Sequence, residues 1–467
     1  ILYDLLVGSV TTAAFVPVFV QHARDERQLW RLVSAILTLT GLAFVVLAVL
    51  LALLADPLIG LIGRGFGSVA QRELAANLMR IALVSVIFQG LAGVLTSALY
   101  ARQRFALPAF ASAVYNAGII AGILLLAHSA GVLALAVGLV MGALAQLVLQ
   151  ALGLPSFWRA YRPRIDLADP AVRRILALGA TVALGLLVTI AGQLIDRSLA
   201  SLLAEGSLTR MEFATRVIQV PLGIVGLAVS YAVLPSLSRS STGPDASLAS
   251  YRAALLFGLR VVLLLMLPTL ALIAALAQPL VGLLFERGAF GASDTARTAA
   301  ILLAYSPQLP LTGIDYLLIN AFYARQDART PVAVGVACVL IYLVVALATL
   351  APLGAVGLAL ANAVQNSSHA LILLALLPRA MPGLRLGSAL LPFLVRAVPA
   401  ATLAGAVVWL AWPWLAALGY LLALVAASLT GMFVYGALLY LLGVSEVRQP
   451  VHALTVSPRA RRGGVQG

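Results

Sequence analysis

Apolar stretches, each long enough to cross a lipid bilayer as a helix, follow one another along almost the whole chain, at residues 3–20, 32–54, 74–98, 106–127, 131–153, 173–200, 213–235, 253–276, 296–322, 331–350, 354–378, 386–411 and 415–443. Lipid offers the backbone no hydrogen-bonding partner, so a spanning segment must satisfy its own amides, as a helix or as part of a closed barrel. These stretches carry Gly, Pro and small residues, without the period-2 alternation of a barrel strand. Thirteen helices are therefore expected. With 62% hydrophobic and 10% charged residues, no soluble fold competes. The fold class predicted is all-α, a polytopic membrane helix bundle.

The formal charge of +14 would suggest nucleic acid in a soluble protein, but its placement points elsewhere. Every basic residue other than histidine is arginine, and the arginines gather in alternate loops: 22–31, 102–104, 159–174, 239–252, 325–329, 379–385 and the tail from Arg448. This is the positive-inside pattern, which puts these loops and the C-terminal tail in the cytoplasm. No basic stretch is interleaved with aromatics on a soluble face, so no nucleic-acid partner is expected. The single cysteine, Cys338, excludes an intramolecular disulfide framework and a cysteine-ligated metal cluster.

A loop occurs twice. ALYARQRFALP (98–108) and AFYARQDARTP (321–331) pair Tyr100 with Tyr323, Arg102 with Arg325, Gln103 with Gln326 and Pro108 with Pro331, all 223 positions apart. Downstream, GVLALAVG (131–138) answers GAVGLALA (354–361) at the same offset. Upstream, DPLIGLIGRG (56–65) answers QPLVGLLFERG (278–288), and the Gly8–Pro17 interval answers Gly226–Pro235. Matches in one order with the same loop charges indicate two parallel six-helix repeats, followed by two further helices. The second copy has a helix, beginning near Arg174, that precedes its Gly–Pro interval, and nothing precedes Ile1 in the first. The expected partition is an N-terminal lobe over 1–153 (helices 2–6, the first helix missing), and a cytoplasmic amphipathic linker over 154–172. A C-terminal lobe over 173–378 (helices 7–12), two additional helices over 386–443 and a cytoplasmic tail over 444–467 complete it. A cleaved signal peptide is the alternative account of the front.

No enzyme signature is present. There is no phosphate-binding glycine loop, the four histidines His22, His128, His369 and His452 lie in separate segments, and no carboxylate cluster has metal-ligand spacing. Neither a cofactor nor a metal is expected, although a coupling ion is compatible with such a chain. The informative residues are charges inside spans, each costly unless it faces a partner or water. They are Arg80, Asp196, Arg197, Arg216, Arg260, Asp315 and Arg396, with Glu212 near a helix end. Arginine outnumbers aspartate, which favours an anionic substrate. Arg216 lies about one turn before Pro221 and Gly223, where the helix should bend. It suits a phosphate ligand through its bidentate fork, or an i, i+4 pair with Glu212. Arg197 and Arg260 join it as substrate-binding candidates. Asp196, Asp315 and Glu212 are candidates for ion coupling or helix pairing, Asp315 with one of the arginines.

The runs LFERGAFGASDTARTAAILLAY, AFYARQDARTPV and LGAVGLALANAV resemble the second half of the MurJ (MviN) lipid II flippases of the multidrug/oligosaccharidyl-lipid/polysaccharide exporter superfamily. ATRVIQVPLGIVGLAVSYAVLPSLSR (214–239), AAFVPVF (13–19) and LMRIALV (78–84) extend the resemblance over nearly the whole chain. It implies fourteen helices in two six-helix lobes plus two. It also implies movement of a lipid-linked, anionic cell-wall precursor from the inner to the outer leaflet by alternating access, in the bacterial inner membrane, by a monomer among membrane lipids. A cationic cavity between the lobes would hold the pyrophosphate, Arg216 and Arg80 match the family's arginine motifs on helices 8 and 4, and the last two helices would form a groove for the lipid tail. The family's arginine pair on helix 2 is replaced by Tyr3 and Asp4. Flipping of another polyprenyl-linked unit, or cation-coupled multidrug antiport, are the alternative functions; the excess of intramembrane arginine argues against the second.

Overall fold

The computed structural model describes residues 15–22, 25–62, 68–154, 160–242, 247–325, 327 and 329–448, and every regular element among them is helical. Tyr3, Asp4 and most of the expected span 3–20 lie outside the described residues. Two compact units result, residues 1–202 and 203–467. Ten helices among the described residues are long and apolar enough to cross a membrane.

Unit 1 contains α1 (Val16–His22), α2 (Glu26–Leu53), α3 (Ala55–Ile62), α4 (Val69–Ala101), α5 (Ala106–Ala130), α6 (Leu133–Leu152) and α7 (Pro170–Ser201). Its principal core gathers Phe19, Leu29, Trp30, Val33, Ile36, Leu95, Leu99, Leu154 and Ile175, so α1, α2, α4 and the start of α7 meet at one end. α5 and α6 pack differently, backbone against backbone. A Cβ built on Gly118 or Gly122 of α5 would collide with the Cα of Gly142 or Gly138 of α6, and one on Gly138 would lie 2.8 Å from the Ile119 carbonyl. Both helices carry a Gly-x-x-x-Gly pair on the shared face, the device by which membrane helices gain close van der Waals contact where no hydrophobic effect drives them together.

The expected linker over 154–172 is an extended strap where it is described. Over 161–169 it is not helical; the Arg162 amide donates to Ser34 Oγ and the Arg164 amide to Thr38 Oγ1 on α2, each at 3.3 Å. It ends at Asp169, whose carboxylate accepts from the Ala171 amide at 2.7 Å and starts α7 with Pro170 in the first turn.

Unit 2 contains α8 (Ser207–Pro221), a π-helical stretch (Leu222–Leu227), α9 (Ala228–Thr242), α10 (Leu248–Phe285), α11 (Ala292–Tyr305), α12 (Gln308–Tyr323), α13 (Arg329–Leu353), α14 (Ala355–Ala380), α15 (Gly387–Leu415) and α16 (Tyr420–Leu441). The last two helices pack on each other and on α10, around Leu276, Val408, Leu424 and Ala427.

The internal repeat is legible in the backbone itself. α5 and α13 begin and end 223 positions apart, and the glycines that follow or close them, Gly131 (φ 54°, ψ −129°) and Gly354 (φ 56°, ψ −127°), share a left-handed conformation that favours glycine. The break between α2 and α3 at Leu54 (φ −90°, ψ 8°) has its counterpart in the kink of α10 at Leu276 (φ −119°, ψ 15°). The copies part company at α4. It is continuous for 33 residues, whereas the single span expected over 296–322 is two helices, α11 and α12, broken at Ser306–Pro307. Pro307 and Pro310 lack the amides that would continue the ladder, and the first copy has Val84 and Ile87 there.

The repeated loop also differs in how it is fastened. In the first copy Arg102 bonds Glu26 at 2.7 Å and lies over the Trp30 ring, and Arg104 donates to the Gly153 carbonyl at 2.8 Å. In the second, Asp327 accepts from the Thr330 hydroxyl at 2.7 Å and from its amide at 3.0 Å at the start of α13. These bonds hold the Asp327 carboxyl below the usual carboxylate range.

Candidate functional site

Arg216 stands on the exposed face of α8. Its side chain is 69% exposed, and its bond to Glu212 Oε1 is long, 3.4 Å, with Glu212 45% exposed. The sequence pairing of these two residues is thus present but loose. One turn on, Pro221 removes an amide from the ladder, and the helix widens into the π stretch over Leu222–Leu227, at the place where a bend is expected from the sequence. The exposed side continues through Gln219, Gly223 and Tyr231. The opposite side is fixed to α12. Ser230 donates to the Tyr316 carbonyl at 2.8 Å and accepts from Asn320 at 2.7 Å, while a Cβ on Gly226 would lie 3.4 Å from the Gly313 Cα. A guanidinium with most of its donors turned outward is thereby held on a rigid base.

Arg80, Arg197 and Arg260 are engaged. Arg80 of α4 bonds Asp56 Oδ2 at 2.6 Å, Asn77 Oδ1 at 3.0 Å and the Ala52 carbonyl at 3.3 Å, clamping α3 and the end of α2 to α4. Arg260 of α10 bonds Glu446 at 2.7 Å and the Ala389 carbonyl at 2.7 Å, tying α15 and the segment after α16 to α10. Burial works to raise the Glu446 carboxyl, but bonds from its own backbone, the Ser445 hydroxyl and Arg260 outweigh it and hold it below its usual range. Asp196 and Arg197 lie half-buried near the end of α7, each with an interaction partner. Arg396 is exposed on α15.

Asp315 corrects one expectation. Its partner is not an arginine but His369 of α14, whose Nδ1 lies 2.7 Å from Asp315 Oδ1. The same ring's Nε2 lies 3.2 Å from the Pro331 carbonyl of α13. Asn366, one turn before His369, donates to Gln308 of α12 at 2.5 Å. The sequence set His369 aside as one of four scattered histidines; the available signal was its spacing from Asn362 and Asn366 on one helical face. Arg210 was also missed. It bonds Asp294 at 2.9 Å, and this bond, with the Gly291 amide, holds the Asp294 carboxyl below its usual range.

An apolar groove runs between α10 and α15. Its first part, about 410 Å³, is lined by Leu267, Ala271, Ala274, Ala401, Gly405 and Trp409. It shares Ala274, Ala275 and Trp409 with a second pocket of about 920 Å³ that reaches Trp412, Trp414 and Tyr420.

Comparison with known proteins gives a consistent picture. The family model described as lipid II flippase MurJ matches residues 1–428. A probable lipid II flippase MurJ of Haemophilus influenzae is 30% identical over 470 residues, covering 95% of this chain and 91% of that one. Lipid II flippase MurJ of Burkholderia cenocepacia is 30% identical over 341 residues, 70% of this chain and 65% of that one. Among solved structures, a lipid II flippase MurJ in an inward closed conformation superposes with a TM-score of 0.75 at 20% identity, over 96% of this chain and 92% of that one. A multidrug resistance MATE family transporter of the MOP superfamily, in an inward-facing conformation, superposes with a TM-score of 0.71 at 14% identity, over 82% of this chain and 88% of that one.

Proposed function

The chain belongs to the MurJ family of lipid II flippases and moves lipid II across the membrane, and from that premise we propose that Arg216 grips the pyrophosphate of the lipid in transit. What supports this reading is the contrast among the arginines whose bonds are described above. Arg80 and Arg260 have short contacts with carboxylates, whereas Arg216 projects from a rigid base with one long bond and most of its fork free for phosphate oxygens. Arg80, Arg197 and Arg260 are further anion-facing groups in this proposal, Arg80 and Arg260 exchanging Asp56 and Glu446 for the ligand. The groove between α10 and α15 suits the polyprenyl tail, since its walls are alanine, leucine, valine, glycine and tryptophan with a single threonine, Thr402. Alternating access is the mode of transport proposed, by a monomer without enzymatic activity.

Expression of the chain in a bacterium depleted of its own lipid II flippase tests the activity. Growth and restored lipid II export are expected; export no better than in the empty-vector strain overturns the reading. The tail is proposed to be cytoplasmic, following the arginine-rich loops. A reporter fused after Leu441 should then read cytoplasmic and one inserted at Gly288, in the turn before α11, should read external. Both on one side would refute that orientation.

A further inference from the structure

The His369–Asp315 pair contains a proton count. Both ring nitrogens face oxygens: Nδ1 faces Asp315 Oδ1 at 2.7 Å, and Nε2 faces the Pro331 carbonyl at 3.2 Å. A carbonyl oxygen cannot donate, so Nε2 carries a hydrogen. The short Nδ1–Oδ1 contact needs one more, on nitrogen with the carboxylate ionised or on oxygen with the ring neutral. In either form the pair is neutral overall and holds one proton beyond those of a neutral imidazole and a carboxylate.

Removing that proton leaves a negative charge in a site where both side chains are mostly buried, 14% and 12% exposed, and sets a lone pair against an acceptor at one of the two contacts. The ring must then let go of Asp315 on α12 or of Pro331 on α13. Among the described residues no other charge is bonded to the pair. The ionisable groups beside Asp315 are His369, Cys338 of α13 and Tyr316 next to it on α12. Other titratable and charged side chains on neighbouring elements are Tyr231 of α9, Tyr251 and Arg252 of α10, Asp294, Arg297 and Tyr305 of α11, Tyr323 of α12, Tyr342 of α13 and Arg379 of α14. Of the charges there, Arg260 is engaged with Glu446, Arg210 with Asp294, and Arg216 with Glu212. Arg325 sits in the turn between α12 and α13, and Arg329 opens α13.

The duplication supplies an internal control. At the same offset, unit 1 has Ala92 on α4 and Gln146 on α6, both buried and neither titratable, while Pro108 answers Pro331. At these two positions the copies share a scaffold, and the second alone carries titratable side chains. Pro331 also closes the repeated loop and lies in the first turn of α13, which Arg329 opens and Arg325 precedes.

We propose that His369 and Asp315 form the binding site of a coupling proton, held between Nδ1 and Oδ1, whose release frees α14 from α12 or α13 and so links proton movement to transport. The proposal rests on the lipid II reading above. One proton enters the N–H–O contact from one side of the membrane and leaves from the other, with no other covalent bond made or broken.

Two measurements test it. In oriented proteoliposomes with the membrane potential clamped at zero, one proton per lipid shifts the leaflet ratio of fluorescent lipid II by about tenfold for each unit of imposed pH difference. H369Q and D315N, neither of which can carry the proton, should lose that response. In nanodiscs without lipid II, the 15N ring signals of His369, identified by their loss in H369Q, should change protonation state within the range where imidazole titrates. A leaflet ratio indifferent to pH difference in the unmodified protein, a normal response in either variant, or a ring that never changes state overturns the proposal. Failure of the unmodified protein to move lipid II while the ring titrates refutes the substrate reading and leaves the proton site supported.

Discussion

Arg216→Ala is expected to lower lipid II export at least about tenfold at matched membrane levels, without loss of folded protein. The residue is 69% exposed and its one described bond is 3.4 Å long, so the fold has little to lose with it. A pyrophosphate has much to lose, because a planar fork meeting phosphate oxygens makes short, charge-assisted bonds that no neutral side chain replaces. Arg216→Lys separates two roles. Lysine keeps the charge and the i, i+4 spacing to Glu212 but presents a point donor, so export should fall to an intermediate level if the fork matters. Full export in both variants would remove Arg216 from the substrate path; full export with Lys alone would reduce it to a generic positive charge. Rescue of a flippase-depleted strain and flipping in vesicles are the two readouts.

Gly142→Leu should do the opposite, destroying stability before transport is measurable. A Cβ at this position collides with the Tyr115 carbonyl and would lie 3.1 Å from that residue's ring, and the opposing glycine, Gly118, leaves no side chain that could move aside. Overpacking relieved by rotamer changes costs about 1–3 kcal/mol; here backbone meets backbone, and at least about 3 kcal/mol is expected. The measurement is the melting temperature in detergent, with Gly436→Leu as control, since nothing lies within 4 Å of a Cβ built there on α16. Equal melting temperatures for the two variants would show that α5 and α6 do not meet as described.

Much of this architecture could be read from residues alone, and the reasons are physical. Lipid forces long apolar runs into helices, so most of the helices follow from composition along the chain. The offset of 223 carried real conformation, because Gly131 and Gly354 recur where the chain must turn through a left-handed residue. Hydropathy could not see the break at Ser306–Pro307, since a run interrupted by proline stays just as apolar. Pairings across the fold were equally hidden. Asp315 and His369 are 54 positions apart, and Arg260 finds Glu446 186 positions away, in what reads as tail. The Gly-x-x-x-Gly face was present in the sequence, but in a chain with 39 glycines nothing marks those four until a partner helix is laid against them.

The glycine seam between α5 and α6 also decides what unit 1 can do mechanically. Turning either helix by one residue, about 100°, would drive a side chain into the partner's main chain, and sliding it by one residue's rise of about 1.5 Å would unseat a glycine from the opposing carbonyl. The pair therefore behaves as a welded strut, stiff in both screw and shear. Deformation of unit 1 concentrates instead at joints where long side chains hold helices apart, such as the Arg80–Asp56 clamp, whose bonds can lengthen or change partner without a collision of backbones.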